Sequence, residues 1–438
     1  MNQKQALDIL KLGHNVFLTG AAGAGKTFLL NQYIAYLNKH NVKMGITAST
    51  GIAATHMNGV TIDSWSGLGM RMSLTEADIN ELQNKLHLKL RLLGAKVLII
   101  DEVSMIHAGK LDLIDKICRV FRGNNLPFGG IQVIFCGDFF QLPPVGEGEN
   151  GDDYIFKSHI WNNMDLRICY LEKAHRQKEE DYLQILNAIR ANHVPDTTLQ
   201  ILIKRIGHPI HSSITIPKLY THNVDVDLIN AEELEKINEK PHVYEMQSKG
   251  MINLIESMKK ACLAPEKLIL KKHVIVMFVR NNVKAGFVNG TLGKIIGFDR
   301  SNNPVVELFS KRKITVYPMS WNITENNVVR AEITQVPLRL AWAITVHKSQ
   351  GMTLDAAEVD LSKAFVTGMG YVALSRVKSL SGLRLLGLNK MALQVNSEIV
   401  ELDKWLRLKS QEEVEKLHQL GWLKRFMQKR RFMYKITS

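Results

Sequence analysis

The sequence predicts an α/β fold of two parallel-sheet domains in tandem. Three observations carry that reading: apolar strand-like runs alternate with helical stretches, a glycine-rich run joins one such strand to a helix, and the 438 residues exceed what one hydrophobic core organises. In the first 165 residues, strand-like runs at 16–18, 43–48, 97–100 and 132–136 are separated by helical patterns, as a sheet covered on both faces requires. Residues 66–93 depart from the alternation. There Ser73 and Glu76 form a capping-box pattern ahead of a charge-rich helix, which predicts a small excursion from the core. A second alternating set begins near Leu166, is interrupted, and resumes at Val336. Within the interruption, residues 293–317 read as short strands split by turn clusters at 299–304 and 310–313. This predicts a small β-module, at about 285–330, inserted in a second domain spanning 166–395. From 396 to 438 the pattern is helical, with a second capping box at Ser410 and Glu413 and a basic, aromatic ending, GWLKRFMQKRRFMYK.

Composition narrows the function classes. Apolar residues make up 45% and charged ones 22%, the balance of a globular protein rather than a disordered one. Lys and Arg outnumber Asp and Glu by 56 to 42, and the resulting +14 favours a polyanionic partner. Cys118, Cys136, Cys169 and Cys262 are too far apart for zinc spacing or a disulfide framework, so they read as small core residues in a reducing compartment. No apolar stretch has the length of a membrane span, and the start lacks a basic segment followed by an apolar one. The expectation is a cytoplasmic protein without membrane contact.

The chemistry lies in two motifs. GAAGAGKT, at residues 20–27, matches the phosphate loop G-x-x-x-x-G-K-[ST] at every fixed position and lies between an apolar strand and a helix. Gly20, Gly23 and Gly25 let the backbone curl so that successive N–H groups face phosphate oxygens, and the new helix adds the positive end of its dipole. Lys26 would reach the outer phosphates of ATP, and the Thr27 hydroxyl would ligate magnesium. VLIIDE, at 97–102, reads as a buried strand with two carboxylates at its carboxyl end. Asp101 is placed for the Mg2+ shell and Glu102 for orienting and deprotonating the attacking water. GDFFQLPPV, at 137–145, follows another apolar strand and brings Asp138 and Gln141 to the same edge, where Gln141 could bond both a phosphate oxygen and a water.

The stretch PFGGIQVIFCGDFFQLPPV, with DEVSM before it and AWAITVHKSQGMTLD and YVALSRV downstream, resembles the petite integration frequency (Pif-type) DNA helicases of superfamily 1B. The resemblance runs from Gln3 to about Leu388. It implies two RecA-like domains, with a wedge region in 66–93 and an SH3-like module at the β insertion. It also implies site roles. Gln3 would recognise adenine. TASTGIAA, at 47–54, resembles a segment that grips the strand backbone through Ser49, Thr50 and Gly51. Arg176 and Arg376 resemble the two arginines that reach the γ-phosphate from the second domain. In the segment 345–351, His347, Lys348 and Ser349 are the implied strand contacts and Gly351 borders the nucleotide. This chain has Asp63 where the family usually has histidine, and a carboxylate repels phosphate, so no DNA contact is carried to that position. Beside it, Trp65 reads equally as a base-stacking residue or a packed one.

The expectation is therefore an ATP- and Mg2+-dependent DNA helicase, translocating 5′ to 3′ on single-stranded DNA, acting on tailed or forked duplexes in DNA repair and recombination, and monomeric off DNA. A translocase that strips proteins without opening duplexes, a nucleotide-switched assembly protein and a subunit of a nuclease–helicase complex are the alternatives. The basic carboxyl-terminal segment has two readings: a nucleic-acid or membrane-surface patch, or a helix laying its aromatic side on the second domain.

Overall fold

The computed structural model describes residues 1–69, 71–144, 153–172, 179–210, 216–220, 226–282, 284–325, 328–346, 349 and 351–437. The chain divides into two compact units: Met1–His175 with Ile323–Val328 and Glu401–Ser438, and Arg176–Asn322 with Val329–Val400.

The first unit is organised by six strands, β1 (Asn15–Gly20), β2 (Met44–Ala48), β3 (Val60–Thr61), β4 (Val97–Asp101), β5 (Gln132–Cys136) and β6 (Leu166–Leu171). They form one sheet in the order β3-β2-β4-β5-β1-β6, parallel at every pairing. Every residue of β4 and β5 is buried, which is why these strands read as unbroken apolar runs. Helices α1 (Gln3–Lys11) and α2 (Lys26–Lys39) pack on the sheet, sharing a core that includes Leu10, Val16, Leu29, Tyr33, Val97 and Ile134.

Four expectations are corrected here. The boundary near residue 165 falls too early, because Leu166–Leu171 pairs with β1 from Asn15↔Leu166 to Gly20↔Leu171 and is the edge strand of the first sheet. An apolar run carries no record of which sheet it joins. The capping box uses Thr75 and Asp78 in place of Ser73 and Glu76: Thr75 N–H donates to Asp78 Oδ2 (2.9 Å) and Asp78 N–H to Thr75 Oγ1 (3.1 Å). Two overlapping patterns compete in SLTEAD, and the helix Glu76–Gln83 starts from the second. Ser410 caps nothing. It lies inside the helix Ser397–Gln419, where its Oγ accepts the Tyr170 N–H (3.0 Å) and satisfies an edge-strand donor. The last helix, Trp422–Thr437, packs on the first unit rather than the second, with Ile436 and, from the preceding helix, Leu417 entering the first unit's core. Its aromatic residues divide: Phe432 packs against that core, while Trp422 and Tyr434 remain 70% and 77% exposed.

The second unit contains a parallel sheet in the order Ala343–Thr345, Lys218–Tyr220, Ala357–Leu361, Leu383–Leu388. Beside it in sequence lies a five-stranded antiparallel module of Lys313–Thr315, Pro304–Leu308, Leu292–Phe298, Ile275–Phe278 and Leu338–Leu340. It is wider than residues 285–330. Ile275–Phe278 is buried on both faces and so lacks the alternation that marks a half-exposed antiparallel strand. A further three-stranded sheet joins Met319–Glu325, Val328–Gln335 and Gln247–Gly250. Among the described residues, no helix is long and apolar enough to cross a membrane.

Replacing Leu417 by Ala should destabilise the first unit by about 2–5 kcal/mol, because a fully packed side chain is removed from a core that cannot fully collapse. Denaturant unfolding followed by tryptophan fluorescence measures this, and a loss of less than about 1 kcal/mol would remove the carboxyl-terminal helices from that core.

Candidate nucleotide and strand sites

The phosphate loop joins β1 to α2. Gly20, Gly23 and Gly25 have φ of 141°, 82° and 84°, a region costly for side-chain-bearing residues. At Gly20 there is also no room, since a Cβ would lie 2.5 Å from the Leu171 carbonyl oxygen of β6. The Lys26 ammonium donates to the carbonyls of Gly20 (2.8 Å) and Ala21 (3.2 Å), which hold it against the loop. Thr27 is exposed in the first turn of α2.

Register sets the opposite wall. Asp101 ends β4, next to β5, which in turn pairs with β1, so the two motifs are one strand apart at the same carboxyl edge. Asp101 is buried; its Oδ1 accepts the Glu102 N–H (2.9 Å), and the Cys136 thiol at the end of β5 also bonds to it. Burial raises the Asp101 carboxyl above its usual range, while the thiol, the N–H and the nearby Lys26 charge pull it part of the way back. The same burial, with Asp101 beside it, drives the Cys136 thiol well above its ordinary range. A hydroxyl and a carboxylate are hard oxygen donors, so Thr27 and Asp101 fit Mg2+, whose charge would offset the penalty burial places on the carboxylate.

Glu102 turns away from the strand with φ 53° and ψ 46°, a left-handed conformation unusual for a non-glycine residue. Such strain persists where the surroundings over-determine it, often at working sites. Asp138 then shapes the next turn: its Oδ1 accepts the Phe140 N–H (3.2 Å) and its carbonyl the Gln141 N–H (2.9 Å), leaving Gln141 6% exposed at the same edge. Beyond β2, Ser49 N–H donates to the Asp101 carbonyl (3.1 Å), and Thr50 caps the helix Gly51–His56 by accepting the Ala53 N–H (3.2 Å). Gln3 opens α1, whose start is fixed by a capping box between Asn2 and Gln5.

Gly20, Gly23, Gly25, Lys26, Thr27, Asp101, Glu102 and Gln141 thus share one edge of one sheet, with Ser49 hydrogen-bonded to it and Thr50 and Gly51 following directly in the chain. Trp65 does not fit a stacking role. It is 3% exposed, and its ring fills the space over Gly45, where a Cβ would lie 2.5 Å from Nε1. Asp63 pairs with Lys110 (3.0 Å), which gives its carboxylate an internal cation. Ser349, in the second unit, is fully buried with its hydroxyl donated to the Val346 carbonyl (2.7 Å), so it shapes its loop rather than presenting a side chain to a strand. Gly351 is exposed at φ 74°. Arg376 ends the helix Met369–Arg376 at 1% exposure, its Nε donating to the Val372 carbonyl (3.0 Å) and Nη2 to Ser375 Oγ (3.1 Å). Arg176, His347 and Lys348 lie outside the described residues. Sequence reasoning missed Cys136 and Lys110. Cys136 was findable as the last residue of the strand before GDFFQ; nothing local points to Lys110 as the partner of Asp63.

The model of the family described as PIF1-like helicase matches residues 1–199, and that described as DNA helicase Pif1, 2B domain, matches 253–298. The chain is 44% identical to an ATP-dependent DNA helicase Pif1 of a Psychrobacter species, over 90% of this chain and 69% of that protein. It is 34% identical to human ATP-dependent DNA helicase PIF1, over 92% of this chain but 63% of that one. Among solved structures it resembles Bacteroides Pif1 in complex with ADP-AlF4, with a TM-score of 0.81, 30% identity and coverage of 93% and 96% of the two chains. The TM-score is 0.60, again at 30% identity, with Bacteroides Pif1 bound to single-stranded DNA, over 94% and 97%.

Glu102 generates two separable expectations. Glu102→Gly should hold or raise the stability of the first unit within about 1 kcal/mol, because relief of the left-handed strain offsets the glycine's entropy. The same change, like Glu102→Gln, should slow ATP turnover by about 10²-fold or more while nucleotide binding persists. Single-turnover hydrolysis and thermal unfolding measure the two effects.

Proposed function

The chain belongs to the PIF1-like helicase family, and on that premise we propose that it is an ATP-dependent DNA helicase that moves 5′ to 3′ along one strand and opens the duplex ahead. The observation that carries the reading is the bond from the Ser49 N–H to the Asp101 carbonyl. It joins the segment that resembles a strand-gripping element directly to the residue placed for the magnesium shell, so the two sites share one stretch of hydrogen-bonded backbone.

In this reading the loop N–H groups and Lys26 hold the phosphates of ATP, Thr27 and Asp101 hold magnesium, and Gln3 recognises the base. Magnesium neutralises charge on the phosphates. Glu102 takes the proton of the attacking water, Gln141 reports the terminal phosphate, and Arg176 and Arg376 neutralise the charge that spreads over the transferred group. Thr50, Gly51, His347 and Lys348 are the proposed strand contacts; Ser49 contributes its backbone and Ser349 the shape of its loop. The polarity rests on the family. The substrates are single-stranded DNA and tailed or forked duplexes; one solved Pif1 structure that this chain resembles concerns DNA unwinding at forked double-stranded DNA by two coordinating Pif1 helicases. The working place is the cytoplasm, on the nucleoid in a bacterium, and the protein is a monomer off DNA.

Two short duplexes that differ only in carrying a 5′ or a 3′ single-stranded tail test this. With ATP and magnesium only the 5′-tailed one should open, and Lys26→Ala should open neither. Hydrolysis stimulated by single strands without opening of either duplex would replace the proposal by protein-stripping translocation. Arg376→Ala should lose at least about tenfold of the DNA-stimulated hydrolysis, the scale of a removed charge-stabilising donor, while its affinity for single strands stays within twofold. Retained stimulation would take Arg376 out of the nucleotide machinery.

A further inference from the structure

Helix α1 has nine residues, too few to persist on its own, yet it carries Gln3 in its first turn. Its position therefore depends on its neighbours. On one side lies α2, where the Tyr33 hydroxyl donates to the Leu10 carbonyl (3.2 Å). On the other lie the two carboxyl-terminal helices. Lys429 Nζ donates to Asp8 Oδ1 (2.5 Å), and both side chains are three-quarters buried. Gln428 Nε2 is 3.3 Å from His14 Nε2, just past the helix end, and Gln5 Nε2 is 3.3 Å from His418 Nε2, near its start. The Phe432 ring lies over Gly13, where a Cβ would meet it at 2.3 Å; with φ at +88° this turn suits glycine alone.

Between these bridges the packing is incomplete. A cavity of about 370 Å³ opens among Ile9, Leu12, His14, Leu417, Leu420 and Gln428. Ile9, Leu10 and Leu12 share the first unit's core with Leu417 and Ile436, so apolar packing holds α1 on this side and the polar bridges add fixed points along it.

We propose that the carboxyl-terminal helices are a brace for adenine recognition, and that Lys429, through Asp8, is a positioning residue for Gln3. The inference rests on the reading of Gln3 as the adenine contact. Because the phosphate loop is anchored separately by β1 and α2, loosening the brace affects the base and spares the phosphates.

Steady-state ATP hydrolysis with saturating single-stranded DNA tests the brace in the full chain, with ADP and GDP as competing inhibitors. For Lys429→Ala the KM for ATP and the inhibition constant for ADP should rise about threefold to fivefold, the upper range of one such ion pair. kcat and the inhibition constant for GDP should stay within about twofold, since neither depends on the adenine contact. The exchange Asp8→Lys with Lys429→Asp should recover at least half of the lost preference for ADP over GDP. Unchanged constants, or ADP and GDP weakening together, would overturn the brace. Gln3→Ala in the same assay separates the two levels: loss of the ADP preference there with none in Lys429→Ala rejects the brace alone. An unchanged preference in Gln3→Ala rejects the adenine assignment, and the brace with it.

Discussion

Everything in the first unit hangs on the side-by-side pairing of β4, β5 and β1. Their backbone groups have no water to bond with, since β4 and β5 are buried at every residue, so a lost pairing would strand donors and acceptors at the full cost of desolvation. That penalty fixes the register, and the register fixes where each strand stops. Leu18 stands opposite Cys136 and Ile100 opposite Phe135. The phosphate loop, the Asp101–Glu102 pair and the GDFFQ turn consequently start within one layer. The strain at Glu102 and the raised carboxyl of Asp101 are local costs that this pairing sustains.

The same frame explains why the chain's last helices belong to its first unit. An edge strand with free N–H groups invites unwanted pairing, and here β6 is covered by the helix Ser397–Gln419. Ser410 accepts the Tyr170 N–H, while the Tyr170 hydroxyl donates to Asp403 (2.9 Å) and accepts from Arg407 (2.6 Å), whose guanidinium also lies 4.3 Å from the ring centre. Arg167 adds a bond to Glu413 (3.2 Å). Exposed ion pairs in this region contribute little to stability; the buried polar bond at Ser410 and the apolar contacts of Leu417 and Ile436 contribute more.

Legibility in the sequence followed the range of the interactions involved. The phosphate loop was readable because its geometry needs glycines at fixed short spacing, and Asp101 because a buried strand ends on it. Trp65 was not, because a tryptophan's burial is decided by Gly45, twenty residues away, whose missing side chain makes the space. The Asp63 departure found its reason only in Lys110, on a helix that follows β4. Ser349 and Ser410 show the same limit, as a hydroxyl carries no sign of whether it will face a ligand, a loop carbonyl or an edge strand.

By itself the sequence determined the fold class, the family resemblance and the nucleotide chemistry, since periodicity and motif spacing are properties of contiguous residues. Only the tertiary structure decided that Leu166–Leu171 completes the first sheet, that the β-module enlists Ile275–Phe278 and Leu338–Leu340, and that the carboxyl-terminal helices grip α1. Each of these is a choice among partners distant in the chain. An apolar segment can bury itself against many surfaces, and the one it takes follows from which arrangement satisfies all the backbone groups and fills the core at once.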